Sequence, residues 1–248
     1  MDFTYRSYVE MIERLRRNDY RITDYHDWNK LPHGSKCAIL RHDIDFDIQK
    51  AVDLARVERD EGVTSTYFVL ISSPMYNVLS ARSCEMLDKI RNMGHSIGLH
   101  YDEMRYPGLS GDTGAVTESI LGEIRIFEMI LGQEVDVVSM HRPSKEILDN
   151  DLSIPGVINS YGKVFFDEFK YISDSRKRWR EPICDIIDSC KYDKIHILTH
   201  AFWYDERECS IHDSVLNWIN GANIVRYCDL RDNITDIESI IDSGEVMT

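Results

Sequence analysis

The chain has 248 residues, of which 43% are hydrophobic and 29% charged, the composition of a globular protein with a sizeable core. Its net charge of −14 argues against nucleic acid or an anionic membrane as a partner, because phosphate groups bind to basic surfaces. The six cysteines show no Cys-x-x-Cys spacing, which argues against zinc-finger and thioredoxin-like chemistry. No stretch approaches the roughly 20 apolar residues of a membrane span, and no signal peptide is visible, so we expect a cytoplasmic location.

Predicted strands alternate with predicted helices along the chain. The strands are expected at residues 37–43, 66–71, 95–100, 135–140, 170–173, 194–199 and 223–227. The helices are expected from a Ser7-x-x-Glu10 capping box through Leu15, and at residues 47–61, 80–93, 117–131 and 213–219. This alternation predicts a parallel sheet, open or closed into a barrel, in one domain that covers residues 1–248.

Acidic residues crowd the end of the first of these strands. The sequence there reads Arg41-His42-Asp43-Ile44-Asp45 and follows the apolar run Cys37-Ala38-Ile39-Leu40. Because side chains alternate along a strand, Asp43 and Asp45 project to the same side, about 7 Å apart along the chain. Two carboxylates in this position indicate either a divalent cation or a division of roles between a base and a metal ligand.

Other unusual polar residues also follow predicted strands. They are His100, Asp102, Glu103, His141, Arg142, Asp174 and His200. Because the carboxyl ends of parallel strands meet at one rim, we expect these side chains to converge there. His42 and His196 are expected to face away from the rim. Carboxylates, imidazoles and a guanidinium gathered in this way suit metal-assisted hydrolysis.

These motifs, in this order over residues 37–204, resemble the polysaccharide-deacetylase (NodB-homology) family, which is carbohydrate esterase family 4. The matching segments are Asp43-Ile44-Asp45, Gly94-His95-Ser96-Ile97-Gly98-Leu99-His100, His141-Arg142-Pro143, Asp174 with Trp179, and Leu198-Thr199-His200. The resemblance implies a distorted (β/α) barrel with about seven parallel strands and a bound divalent metal, with zinc expected.

The resemblance also implies a role for each matching residue. Asp43 corresponds to the general base, and Asp45 and His100 correspond to metal ligands. Arg142 corresponds to the arginine that holds the catalytic aspartate. Asp174 corresponds to the aspartate that orients that arginine or the catalytic histidine, and His200 to the general acid.

One position departs from the family pattern. The second histidine ligand normally lies four residues after the first, and that position is Met104 here. Methionine is a poor ligand for zinc in an oxygen-rich site. The third ligand could be His141, Asp102 or Glu103, the metal could keep an extra water, or the site could be degenerate. We favour His141.

The resemblance suggests removal of an acetyl group from a sugar. Trp203 and Tyr204, directly after His200, are candidates to stack on a sugar ring, as is Trp179. A cytoplasmic location favours a soluble precursor, such as a nucleotide- or lipid-linked sugar in surface-polysaccharide biosynthesis. The sequence does not indicate an oligomeric state.

Two other functions remain open at this point. Asp43-Ile44-Asp45 also fits the Asp-x-Asp motif of a metal-dependent glycosyltransferase, although His141, Arg142 and His200 would then have no role. Met104 motivates the other alternative, a catalytically degenerate carbohydrate-binding protein.

Overall fold

The computed structural model describes residues 1–109 and 111–246. Its helices are α1 (Tyr5–Arg17), α2 (Ile48–Asp60), α3 (Ala81–Asn92), α4 (Thr113–Leu131), α5 (Lys145–Asp149), α6 (Val164–Asp167), α7 (Ile183–Ser189), α8 (Ile211–Arg231) and α9 (Ser243–Val246). Its strands are β1 (Arg21–Thr23), β2 (Cys37–Ile44), β3 (Thr66–Val69), β4 (Ser96–Asp102), β5 (Val137–His141), β6 (Ile158–Asn159), β7 (Lys170–Ser173) and β8 (Lys194–Thr199).

Seven parallel strands form one curled sheet in the order β6-β5-β4-β3-β2-β8-β7, and β1 pairs with the start of β2. Each connection between parallel neighbours crosses over the sheet, which is why helices separate the strands along the chain. The sheet is a half-barrel, and the predicted distorted (β/α) barrel is confirmed. The carboxyl ends of the seven parallel strands lie at one rim, as the alternation of strands and helices predicted.

The concave side of the sheet is filled by apolar side chains below the rim. Ile39, Phe68 and Val137 belong to this cluster, together with aromatic rings from the segment that precedes β7. Phe68 needs the space beside Gly98, because a Cβ at that position would lie 2.6 Å from its ring and 2.9 Å from the Val137 carbonyl oxygen. Gly98 therefore allows the Phe68 ring to pack in the interior of the sheet, below the site.

Two of the differences between the predicted and the observed elements have a clear local cause. Helix α1 begins earlier than the Ser7-x-x-Glu10 capping box implied, because the Thr4 side chain accepts the hydrogen bond from the Ser7 amide at 3.1 Å. The strand predicted at residues 223–227 lies inside α8. That helix starts at a Ser210 N-cap, and once started it adds a backbone hydrogen bond for each residue, which outweighs the strand preference of a short β-branched run.

The described chain divides into two compact units, residues 1–206 and 207–248. Every motif named above lies in the first unit. One catalytic domain over residues 1–248 stays a prediction. Within the described ranges, no helix combines the length and the apolar composition that crossing a membrane requires.

A buried carboxylate ties the first helices to the convex side of the sheet. Glu58 on α2 is fully buried and accepts hydrogen bonds from Tyr8 at 2.6 Å and Tyr67 at 2.8 Å. The His42 Nε2 atom lies 2.9 Å from the same carboxylate, and the Ser65 hydroxyl donates to it at 2.6 Å. His42 therefore faces away from the rim, as predicted, and has a structural role.

This network makes stability depend on pH. Burial opposes ionisation of Glu58, but the facing His42 outweighs it and lowers the pKa from 4.5 to about 2. The stabilisation is therefore complete above about pH 4.5 and is lost as the pH falls towards 2, by about 3 kcal/mol in total. We expect Glu58→Gln to flatten the loss of unfolding free energy in this interval, measured by urea denaturation at several pH values. An unchanged slope would contradict the assignment.

Candidate metal centre and active site

A cleft of about 770 Å³ opens at the carboxyl ends of the strands. Eight of the ten residues predicted for the site line it, and they are Asp43, Asp45, His100, His141, Arg142, Asp174, His200 and Trp203. The remaining two, Trp179 and Tyr204, lie elsewhere. The parallel sheet thus brings together side chains that are up to 160 positions apart, as expected from their places at strand ends.

Three of these side chains form a compact group of possible metal ligands. The His100 Nε2 atom lies 3.1 Å from the His141 Nδ1 atom. Both nitrogens lie 3.3 Å from the Asp45 Oδ1 atom. Among the described residues, this is the one group of three or more potential ligands that could hold an ion together.

The separations match those around a zinc ion. Zinc bonds to imidazole nitrogen and carboxylate oxygen are about 2.0–2.2 Å long, so two ligands of a tetrahedral ion lie about 3.3 Å apart. The Asp45 Oδ1 atom is buried, and its two imidazole neighbours at 3.3 Å do not form hydrogen bonds of normal geometry with it, although a buried carboxylate oxygen normally has such a bond. Asp45, His100 and His141 therefore fit a divalent metal with bond lengths like those of zinc.

Neighbouring side chains hold two of these groups, His100 and Asp45, in position. The Ser139 hydroxyl lies 3.1 Å from the His100 Nδ1 atom, which orients the ring so that Nε2 points into the group. The Tyr76 hydroxyl donates to the Ile44 carbonyl at 2.7 Å, and the Ser73 hydroxyl donates to the Asp45 carbonyl at 3.0 Å. The backbone that carries Asp45 is thus fixed from the loop after β3.

The structure distinguishes between the candidates for the third ligand. Met104 is 64% exposed and does not line the cleft. Asp102 pairs with Arg142, and Glu103 accepts a hydrogen bond from Ser144. His141 is the candidate that the fold brings to Asp45 and His100.

We expect His141→Ala to weaken zinc binding at least about 100-fold, because losing even a side chain behind a ligand costs about 10–100-fold. Competition with a chromogenic chelator measures the affinity. Met104→Ala is the matched control and should bind zinc like the parent protein. Equal zinc affinity of His141→Ala and the parent would exclude His141 as a ligand.

Asp43 forms a buried ion pair with an arginine on its own strand. The Arg41 guanidinium donates to the Asp43 Oδ2 atom at 2.8 Å and to the Ser139 and Ser160 hydroxyls at 2.7 and 2.9 Å. Burial opposes ionisation of Asp43, but Arg41 outweighs it and lowers the pKa of the carboxyl. Asp43 is thus held as a carboxylate, and its second oxygen, Oδ1, has no hydrogen-bond partner in the described chain.

The arginine predicted for this task lies elsewhere. Arg142 has a left-handed φ of 50°, its side chain is 69% exposed, and it pairs with Asp102 at 3.2 Å. We therefore correct the assignment: Arg41 holds Asp43, and Arg142 does not. The pairing of Arg41 with Asp43 could have been predicted from the sequence, because the two residues are two positions apart and must face the same side of a strand.

Asp174 and His200 form a second pair beside the possible metal ligands, with the His200 Nε2 atom 3.7 Å from the Asp45 Oδ2 atom. The His200 Nδ1 atom lies 2.5 Å from the Asp174 Oδ1 atom, and the His200 amide and the Thr199 hydroxyl donate to Oδ2 at 3.3 and 3.1 Å. Burial lowers the pKa of His200, but the Asp174 charge outweighs it and raises the pKa to about 9. Asp174 thus orients His200, one of the two roles suggested for it, and leaves Nε2 facing the cleft.

Of the three aromatic residues predicted to stack on a sugar ring, one lies at the cleft, and its role there stays a prediction. Trp203 lines the cleft. Tyr204 has 0% exposure and packs against Phe3 and Tyr8, so no ring face is open to a sugar. Trp179 stacks on Phe3 with ring centroids 5.8 Å apart, outside the cleft lining.

The rings that do line the cleft besides Trp203 were missed. They are Phe46, Tyr161, Phe166 and Tyr171. Phe166 contacts both Tyr161 and Tyr171 at centroid distances of 5.7 and 5.0 Å. Tyr161 and Phe166 lie in short segments between strands, where no periodicity marks the side that a residue faces.

No family model matches the chain. No curated protein matches it either. Solved structures that are similar to the chain were found, at low sequence identity.

Three of these structures illustrate the extent of the similarity. The catalytic domain of a peptidoglycan N-acetylglucosamine deacetylase from Eubacterium rectale is 15% identical, with a TM-score of 0.47 and coverage of 76% of this chain and 84% of that one. A Streptococcus mutans CE4 esterase is 15% identical, with a TM-score of 0.44 and coverage of 80% and 84%. IcaB from Ammonifex degensii is 11% identical, with a TM-score of 0.44 and coverage of 87% and 88%. Because these similarities are low, we infer the chemistry of the cleft from its own residues.

Proposed function

We propose that this protein is a metal-dependent hydrolase that removes an acetyl group from a sugar or a sugar-containing precursor. The observation that carries the proposal is the presence, in one cleft, of a possible metal-ligand group (Asp45, His100 and His141), a buried carboxylate (Asp43) and an oriented imidazole (His200). Each step of acyl-group hydrolysis needs one of these groups.

Asp45, His100 and His141 would hold the metal. When bound, a divalent ion supplies a Lewis acid that polarises the acyl carbonyl and lowers the pKa of a water. The buried surroundings strengthen this electrostatic effect, because few water molecules screen it.

Asp43 and His200 would move the protons. The unpartnered Asp43 Oδ1 atom accepts a proton from the attacking water as the water oxygen bonds to the acyl carbon. The His200 Nε2 atom then donates a proton to the leaving nitrogen or oxygen as the bond between that atom and the acyl carbon breaks. The products are acetic acid, which loses a proton to solvent and becomes acetate, and a free amine or hydroxyl group. Asp43 has then gained one proton and His200 has lost one, so passing that proton back to His200 restores both groups.

The two alternatives explain less of the cleft. A metal-dependent glycosyltransferase would use Asp43-x-Asp45 but would leave the Asp174–His200 pair without a task. A degenerate carbohydrate-binding protein would not need three possible metal ligands at the separations of a zinc site. The deacetylase uses both features.

Acetate release tests the proposal. The protein is stripped with a chelator, reloaded with zinc, and incubated with N-acetylated and O-acetylated sugars and with a nucleotide-linked acetylated sugar. We expect acetate only from the loaded protein. Release of the nucleoside diphosphate without acetate would support the transferase. Neither product, together with less than stoichiometric zinc, would support the binding protein.

We place the substrate among the precursors of a surface polysaccharide, as a nucleotide- or lipid-linked sugar handled in the cytoplasm. The support for this finer assignment is the location that the sequence led us to expect.

A further inference from the structure

A tight hairpin follows β7 and forms part of the cleft wall. The Arg178 amide donates to the Ser175 carbonyl at 3.1 Å, and the Ser175 amide donates to the Arg178 carbonyl at 2.8 Å. Asp174 and Trp179 form the next antiparallel bridge. The two central residues, Arg176 and Lys177, both have positive φ, at 50° and 56°. These are the features of a two-residue type I′ turn.

The residues in this turn are unusual for its conformation. Type I′ turns favour Asn-Gly or Gly-Gly, because positive φ brings the Cβ of other residues too close to the backbone. Here two long cationic side chains occupy both positions. Trp179 anchors the base of the hairpin by stacking on Phe3. Backbone strain of this kind concentrates where a side chain is needed in a particular place.

The hairpin supplies positive charge that the cleft itself does not neutralise. Arg176 and Arg180 both line the cleft. Each lining carboxylate already has cationic or imidazole neighbours: Asp43 has Arg41, Asp45 has His100 and His141, Asp102 has Arg142, and Asp174 has His200. In residues 1–109 and 111–246, no carboxylate oxygen lies within 4.0 Å of the Arg176 or Arg180 guanidinium. Two arginines without a carboxylate partner among the described residues therefore line the cleft of a chain whose net charge is −14.

We propose that Arg176 and Arg180 bind a phosphate or diphosphate group attached to the acetylated sugar. Guanidinium groups match phosphate oxygens with paired, charge-assisted hydrogen bonds, which is why arginine is common where phosphates are recognised. Tyr161, Phe166 and Tyr171 line the same cleft and offer ring faces to the sugar. The inference rests on the proposed function and narrows its substrate to a phosphorylated sugar.

Binding measurements on a protein that does not turn over test this inference. Zinc-loaded Asp43→Asn is titrated by calorimetry with a neutral N-acetylglucosamine oligomer and with N-acetylglucosamine 1-phosphate. We expect the phosphorylated sugar to bind at least about 10-fold more tightly. In the added double substitution Arg176→Gln and Arg180→Gln, this preference should fall about 10- to 100-fold, because two charge-assisted contacts are lost.

Arg178→Gln is the matched control, because Arg178 lies in the same hairpin but does not line the cleft. It should keep the full preference for the phosphorylated sugar. Equal binding of the neutral and phosphorylated sugars would overturn the inference, as would the same loss in the Arg178→Gln control. Binding of phosphate to zinc alone would leave the preference unchanged in the double variant and would also overturn it.

Two larger ligands then distinguish the sources of the phosphate. Uridine diphosphate N-acetylglucosamine represents a nucleotide-linked sugar, and a short polyprenyl phosphate N-acetylglucosamine represents a lipid-linked one. Tighter binding of either than of the sugar 1-phosphate, lost in the double variant, supports phosphate recognition and identifies the source. The proposed function fails separately, if the parent protein releases acetate from none of these sugars.

Discussion

Replacing Asp43 with asparagine is expected to lower kcat for acetate release about 1000-fold and to leave zinc bound. Asparagine keeps the shape of the side chain and can still accept a hydrogen bond from Arg41, which limits the stability lost when the buried Arg41 charge has no carboxylate partner. It cannot take the proton of the attacking water. Acetate release under saturating substrate gives kcat, and elemental analysis of the same sample gives the zinc content.

Asp102→Asn is the control for this variant. Asp102 also lines the cleft and pairs with an arginine, but it belongs to neither the metal-ligand group nor the proposed proton path. We expect its kcat to stay within about 10-fold of the parent value. If Asp43→Asn retained the parent activity with zinc bound, Asp43 would not be the base, and another group would have to accept the proton.

Replacing Arg41 with methionine should lower the free energy of unfolding by about 3–5 kcal/mol. The reason is that Arg41 is fully buried, and its loss leaves the Asp43 charge in the interior without its partner. For a chain of this length, the corresponding fall in Tm is about 10 °C. Urea denaturation and thermal melts of the zinc-free protein measure both quantities, so that metal binding does not contribute.

Arg142→Met is the matched substitution and should cost at most about 1 kcal/mol, because the Arg142 side chain is 69% exposed. The variant that combines Arg41→Met with Asp43→Asn should recover part of the lost stability, because the uncompensated charge is then gone. If Arg142→Met proved as destabilising as Arg41→Met, the buried pair would not have the importance that its geometry indicates.

The Arg41–Asp43 ion pair explains how a carboxylate at the end of a buried strand could act as a base. An isolated buried carboxyl group favours its neutral form, because its charge is poorly solvated. Arg41 reverses that preference and occupies only the Oδ2 atom. The Oδ1 atom is left for the water. The ion pair thus serves both the stability of the sheet and the proposed chemistry.

Much of the site follows from the sequence because its signals are local. The apolar run of residues 37–40 and the β-branched run at residues 194–199 identify β2 and β8, since few other conformations bury such residues. Each helix carries the chain back to the edge of the sheet where the previous strand began, so the strands run parallel. Their carboxyl ends therefore lie at one rim. Asp43, Asp45, His100, His141, Asp174 and His200 are therefore placed together by strand ends alone.

Contacts between distant segments are not determined by such local patterns. Tyr204 directly follows a cleft residue, yet α1 packs against it and buries it. Arg142 directly follows His141, but the backbone turns to a positive φ there and carries the side chain away from Asp43. The choice between Arg41 and Arg142 depended on which guanidinium the sheet encloses.

The sequence by itself determined six of the eight described strands, the polar residues at their carboxyl ends and the chemistry that those residues suit. The six are β2, β3, β4, β5, β7 and β8. Only the tertiary structure decided that His141 completes the possible zinc site, that Arg41 holds Asp43, and that a strained hairpin brings two free arginines into the cleft. The physical reason is that hydrophobic periodicity and secondary-structure propensity depend on only a few neighbouring residues. Which side chains contact each other across the sheet, in contrast, depends on the curvature and register of the sheet, because its neighbouring strands come from distant parts of the chain.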